Sequence, residues 1–293
     1  MDGIIVVDKP EGWTSHDVVG KMRRIAKTKR VGHLGTLDPI ATGVLPLVME
    51  RATRLAQFYT GSEKVYEGVV RFGWSTSSYD RAGEPASPPV EVRFGVEELE
   101  RHLEKFRGEF LQTPPAVSAK KVDGRRAYEL ARKSIAVELK PVPVHVYELT
   151  LLGWNGTDAR LRAHCSGGTY MRSIAHDLGQ SLGPGAHLLE LRRTRSGEFA
   201  AGESRTLAQL ESLAAEDRLI DAIVPMGSLL PAIPNVFVDD MTVTQIRHGR
   251  DFQVSPFRSQ PGSRYVKAVT RAGDLVAIGE AVLPNLYHPA VVL

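Results

Sequence analysis

Strand-like and helix-like stretches follow one another along this chain without a regular βαβ period, and that irregularity constrains the fold most. "KVYEGVVRFGW" (Lys64 to Trp74) alternates with period two, placing Tyr66, Gly68, Val70, Phe72 and Trp74 on one face of a strand. "GIIVVDKP" reads as a short buried strand stopped by Pro10, and "ARLRAHCSGG" as a strand running into a helix that begins near Thr169. Met171, Ile174 and Leu178 line the buried side of that helix. In "TSHDVVGKMRRIAK", Thr14 and Asp17 offer a capping box, while Val18, Met22 and Ile25 share a face. "GVEELERHLEKFRG" predicts an amphipathic helix with Val96, Leu99, Leu103 and Phe106 inward, and a further helix is expected around "RATRLAQFY". The expected class is α+β, with a mixed, mostly antiparallel central sheet flanked by helices. Proline punctuation in "SLLPAIPNVFV" marks a boundary. Residues 1–230 form the larger unit, and 231–293 a small β-rich domain.

Hydrophobic residues make up 42% and charged residues 24% of 293, as in an ordinary globular protein. The formal charge is only +3, but its signs are segregated. Six of the ten residues from Lys21 to Arg30 are basic, "LRRTRSG" and "KKVDGRRAYELARK" add basic clusters, and acidic residues gather in "GVEELERHLEKF". That distribution suits a polyanionic partner. The single cysteine, Cys165, excludes an intrachain disulfide and a cysteine-built zinc site. In an alternating apolar strand it reads as a small core residue. There is no HExxH, Walker loop or strand-linked GxGxxG. The sequence offers no membrane-length apolar run and no signal-peptide pattern at its start, so a cytoplasmic location is expected.

"GHLGTLDPIATGVL" (Gly32 to Leu45) holds one carboxylate, Asp38, among glycines and a proline. Pro39 biases Asp38 toward an extended backbone, and Gly32, Gly35 and Gly43 allow tight turns or close approach by another strand. This run resembles the signature loop of the TruB family of tRNA pseudouridine synthases. "DKPEGWTS" is similar to the family's N-terminal Lys-Pro motif and "KVYEG" to the strand carrying its active-site tyrosine. "SGGTYMRSIAHDLG" resembles its arginine motif, and "AHLLELRRTRSG" its late leucine-arginine motif. The five motifs stand in the family's order, and the C-terminal segment resembles a PUA RNA-binding domain.

The resemblance implies a pseudouridine synthase fold and conversion of uridine 55 in the TΨC loop of tRNA to pseudouridine, without cofactor, metal or ATP. It implies Asp38 as nucleophile, Arg172 as the cation paired with it, and Tyr66 as the aromatic stacked on the target uracil. Leu191 packs the apolar side of the pocket, and His33 fills the space left by the flipped base. Asp80 lies near the RNA-facing loop, and Lys9 shapes the pocket wall. Residues 112–141 resemble the family's RNA-gripping thumb, with Lys120, Lys121, Arg125 and Arg126 on phosphates. The partner implied is tRNA, through its T arm and, by way of the PUA domain, its acceptor end. No protein partner or membrane is implied. The carboxylate is expected in a dry pocket, where Arg172 favours its charged form. Two rivals remain at this point: an RNA-binding or tRNA-folding module without catalysis, and a base-exchanging tRNA transglycosylase.

Overall fold

The computed structural model describes residues 1–86, 88–116, 121–122, 125–126, 139–254 and 263–293. Its first strand, β1 (Gly3–Lys9), leads through the capping residue Thr14 into α1 (Ser15–Ile25). Thr14 accepts from the Asp17 N–H while Asp17 accepts from the Thr14 N–H, the reciprocal capping box expected. β2 (Val31–His33) and β3 (Ala41–Met49) bracket the glycine-rich loop. A 3-10 helix over Glu50–Tyr59 follows, where the sequence suggests a helix; its buried Ala52 and Leu55 stand one 3-10 turn apart. β4 (Lys64–Phe72) keeps the alternation. α2 (Val96–Leu103) buries Leu99 and Leu103, but Val96 is 47% exposed, contrary to expectation, because the first helical position precedes the stretch covered by the core.

β5 (Gly108–Gln112) is followed by the short pair β6 (Lys121–Val122) and β7 (Arg125–Arg126), and then by β8 (Val142–Trp154) and β9 (Asp158–Cys165). α3 (Met171–Leu182) starts two residues later than expected and buries Met171, Ile174 and Leu178. β10 (Ala186–Ser196), β11 (Phe199–Ala200), α4 (Leu207–Ala215) and β12 (Ile223–Pro225) complete the larger unit. The principal sheet has ten strands in the order β12-β1-β3-β10-β4-β9-β8-β5, with β2 edging β3 and β11 edging β10. The β3–β10 contact is parallel and the other pairings are antiparallel. This is the expected α+β class.

The C-terminal residues form β13 (Asn235–Phe237), α5 (Asp240–Arg247), β14 (Phe252–Gln253), β15 (Tyr265–Val269), β16 (Leu275–Leu283) and β17 (Leu286–Val292), whose strands make a five-stranded sheet. β1 shows why its sequence is apolar without alternation. Ile5 and Val7 pack on the helical side with Val18, Met22 and Leu45. Ile4 and Val6 pack on the opposite side, in a cluster that includes Leu55, Val269, Ile278 and Leu293. Both faces of the strand are covered, so each residue gains from burial. Among the described residues, no helix is long and apolar enough to cross a membrane.

Candidate active site

Asp38 lies in the loop between β2 and β3, and side chains from distant elements hold the backbone on either side of it. The Ser15 hydroxyl, at the start of α1, accepts the Leu37 N–H at 2.8 Å and donates to the Leu37 carbonyl at 3.2 Å. The Pro39 carbonyl accepts the Gly12 N–H at 2.8 Å and the Lys9 ammonium at 3.4 Å. Lys9 Nζ also donates to the Trp13 carbonyl at 2.6 Å and the Pro10 carbonyl at 2.9 Å. Lys9 is wholly buried, and that burial pushes its pKa down to about 8 although Asp38 pulls the other way. Arg193, buried on β10, donates to the carbonyls of Val44 at 2.7 Å, Gly35 at 3.1 Å and Thr36 at 3.4 Å. Gly43 permits this approach: at φ +100°, a Cβ there would stand 2.2 Å from the Arg193 carbonyl oxygen. Gly35 also has positive φ, at +120°, whereas Gly32 sits in β2.

Held in this way, the Asp38 carboxylate meets Arg172 in a two-pronged ion pair. Arg172 Nε donates to Oδ2 at 2.8 Å and Nη2 to Oδ1 at 2.9 Å. Nη1 donates to the Ser78 carbonyl at 3.1 Å and lies 3.6 Å from Asp80 Oδ2. Asp80 is buried and its Oδ1 accepts from the Ser78 hydroxyl at 2.6 Å and the Ala82 N–H at 3.0 Å. Arg172 is the second residue of α3, where the helix dipole disfavours a cation; two carboxylates offset that placement. The expectation of a dry site holds for Arg172, with its side chain 4% exposed, but not for Asp38, which keeps 31% of its side-chain surface. A loop tip open on one side leaves the carboxylate reachable by a ligand.

Sheet order brings the remaining groups into line. β10 lies between β3 and β4, so Arg193 stands opposite Gly43 on one side and Tyr66 on the other. Burial pushes the buried Tyr66 phenol above its ordinary range, and a hydrogen bond from Arg193 works against that shift. Leu191 is paired with Ala41 and Gly68, and a Cβ on Gly68 would come 3.2 Å from the Leu191 Cδ1. A hollow of about 320 Å3 opens there, lined by Ile40, Thr42, Gly68, Leu191 and Arg192 among others. His33 ends β2 opposite Leu47 and is half-buried.

Asp38, Arg172 and Asp80 thus form one charged cluster, with Tyr66, Leu191 and Lys9 on the elements around it. Lys120 lies outside the described residues. For Lys121, Arg125 and Arg126 the description is limited to the backbone of the paired strands β6 and β7. The base of this insertion is tied to the start of α3. Gln112 accepts the Tyr170 N–H at 2.8 Å and donates to its carbonyl at 3.1 Å, and the Ser173 hydroxyl donates to the Thr113 carbonyl at 2.8 Å. Sequence reasoning passed over Arg193 and Lys64, the latter buried with its pKa pushed down to about 8 by burial. Lys64 is marked only as a cation at the start of an apolar strand, and Arg193 only as one member of the basic cluster "LRRTRSG". Cys165 is buried and pushed up to about 11 by that burial, as befits a core thiol.

Residues 23–171 match the TruB family pseudouridylate synthase N-terminal domain, a little over half of the chain. The chain belongs to the TruB family. Residues 172–231 match the tRNA pseudouridylate synthase B C-terminal domain, a segment that here supplies α3 with Arg172 and β10 of the principal sheet. The chain is 79% identical over 293 residues, the whole of both chains, to tRNA pseudouridine synthase B of Solibacter usitatus. It is 42% identical over 252 residues to tRNA pseudouridine synthase B of Aquifex aeolicus, covering 85% of this chain and 86% of that one. Among solved structures, the crystal structure of a Cbf5-Nop10-Gar1 complex shares the fold at TM-score 0.72 and 30% identity, covering 97% of this chain and 79% of that one. An H/ACA RNP bound to a substrate RNA containing 2'-deoxyuridine also matches at TM-score 0.72, with 28% identity over 98% of this chain and 83% of that one. This TruB-family chain therefore carries the pseudouridine synthase fold.

Proposed function

We infer that this protein isomerises uridine 55 in the TΨC loop of tRNA to pseudouridine, the activity class of the TruB family. It is a tRNA pseudouridine synthase, an isomerase. The reaction breaks the bond from uracil N1 to ribose C1′, turns the base, and joins C5 to C1′. C5 loses a proton and N1 gains one, so every atom of the nucleotide is conserved. Such a reaction calls for a carboxylate at the sugar, as nucleophile or as partner of a cationic centre.

The observation that carries the assignment of Asp38 to this role is its two-pronged pair with a buried Arg172, made while Asp38 keeps an open side. The guanidinium fixes the carboxylate while the open side leaves it reachable by a sugar. Tyr66 is the platform for the uracil, and Leu191 the apolar wall. Arg193 and Lys9 keep the loop carbonyls in place, and Asp80 holds the far edge of the guanidinium. The target base must leave the stack to reach Asp38, at a cost of roughly a few kcal/mol, and His33 fills the vacated space. Lys120, Lys121, Arg125 and Arg126 grip phosphates of the T arm, and the five-stranded unit from 231 onward acts as a PUA-like domain extending the footprint toward the acceptor end.

The test is to incubate unmodified tRNA with the protein and no added cofactor, mapping pseudouridine by carbodiimide-dependent reverse-transcription stops. Wild type gives a stop at position 55. Asp38→Asn gives none while binding the same tRNA within about tenfold, as expected for a group that acts mainly in the transition state. Turnover by Asp38→Asn would reject the nucleophile assignment.

A further inference from the structure

Tyr79 adopts a backbone conformation that its side chain disfavours. Its φ is +64°, the left-handed region that bulky residues rarely enter. The loop is tied down to keep it there. The Tyr79 carbonyl accepts the Leu188 N–H at 2.9 Å, the Tyr79 N–H donates to the Thr76 carbonyl at 3.2 Å, and the Thr76 hydroxyl donates to the Asp80 carbonyl at 2.6 Å. This conformation lays the phenol flat on the imidazole of His176, with ring centroids 3.7 Å apart and planes 13° from parallel. Burial pushes the His176 pKa below its ordinary value, which favours the neutral ring.

The core does not need this stack. Both residues are half-buried, and Tyr79 lies outside the hydrophobic clusters. Among the described residues the buried His176 Nδ1 has no hydrogen-bond partner. Its position is the informative part. His176 follows Arg172 by four residues on α3, so the two lie on one helix face about one turn, roughly 5 Å, apart. Tyr79 stands between Ser78, whose carbonyl accepts from Arg172, and Asp80, which faces the same guanidinium. A strained aromatic pair is therefore held open beside the Asp38–Arg172 pair.

Extruding a base exposes the faces of the bases that flanked it, and an aromatic side chain is the sequence-tolerant replacement for a lost stacking partner. We propose that Tyr79, backed by His176, is a stacking shelf for an RNA nucleobase adjacent to the uridine being isomerised. This inference rests on the function assigned above and adds a substrate-binding subsite to it.

The test combines protein and RNA changes. Tyr79→Ala raises KM for unmodified tRNA by about 5- to 150-fold, the range for losing one base–aromatic stack, while kcat stays within about threefold. Tyr79→Phe behaves as wild type, because the ring face and not the hydroxyl is used. An abasic nucleotide on one side of the target uridine costs the wild type a similar factor and costs Tyr79→Ala nothing further. Tyr79→Gly suits the left-handed backbone, so it folds with a thermal midpoint near that of wild type and yet shows the same KM defect. An unchanged KM in Tyr79→Ala or Tyr79→Gly, or losses that multiply when the protein and RNA changes are combined, would overturn the shelf. Absence of pseudouridine with the wild-type protein would instead overturn the function on which it rests.

Discussion

Replacing Arg172 by lysine separates the charge of this side chain from its shape. The guanidinium reaches both oxygens of Asp38 at 2.8 and 2.9 Å and the Ser78 carbonyl at 3.1 Å, with its side chain 4% exposed. A lysine ammonium keeps the positive charge but cannot meet the two carboxylate oxygens and the carbonyl in the planar fork. Losing one charge-assisted hydrogen bond removes roughly 1.5–3 kcal/mol. Because Asp38 is 31% exposed, water takes up the freed oxygen in the resting protein, which keeps the loss of stability small. On the proposed reaction, bound RNA displaces that water, so the deficit is expected in the rate, about 10- to 150-fold in kcat. Arg172→Met differs in kind. It leaves buried Asp80 beside an empty guanidinium site and is expected to cost about 3 kcal/mol of stability as well as activity. Tritium release from RNA labelled at uridine C5 reports the exchange of C5–H for C5–C1′ under single turnover, and thermal melts report stability. Arg172→Lys turning over within threefold of wild type would refute the reasoning. So would an Arg172→Lys melt as damaged as that of Arg172→Met, since the pair would then be structural.

Two further outcomes are expected. Changing Lys120, Lys121, Arg125 and Arg126 together to glutamine weakens tRNA binding and flattens the slope of log affinity against log salt, and an unchanged slope removes this insertion from the phosphate contacts. Stability rises between about pH 8 and 10, because burial holds Lys9 and Lys64 at about 8 in the folded protein against an ordinary 10.5. Over that window the unfolded chain binds more protons, so each lysine returns at most roughly 3 kcal/mol as pH rises. From about pH 9 the buried Cys165 thiol, held at about 11, takes back part of that gain, and above pH 10 the buried phenols of Tyr59 and Tyr66, both raised by burial, act in the same opposing direction. Urea melts across this range check the sign; Lys64→Met makes the rise smaller, and stability that falls from pH 8 to 9 contradicts the account.

The amino-acid sequence alone determined what is decided within a few residues of chain. The Thr14–Asp17 capping box, the alternation of β4 and the proline-stopped β1 all rest on contacts or periods spanning two to four positions. The lone carboxylate of Asp38 was legible too, because its glycine-rich surroundings resembled a known signature. Tertiary structure decided what surrounds that carboxylate. The Asp38–Arg172 bonds cross 134 residues, and those from Arg193 to Val44, Thr36 and Gly35 cross 149 to 158. No period or cap encodes such a separation. It arises because β10 lies between β3 and β4 in the sheet though far from both in the chain, and because α3, which carries Arg172, packs on β10. The same cause explains the remaining surprises: the exposure of Val96, the apolar cover on both faces of β1, the partial openness of Asp38, and the stacking of Tyr79 on His176. Each follows from which surfaces the folded sheet and its helices bring together, a matter of three-dimensional neighbours on which local sequence is silent.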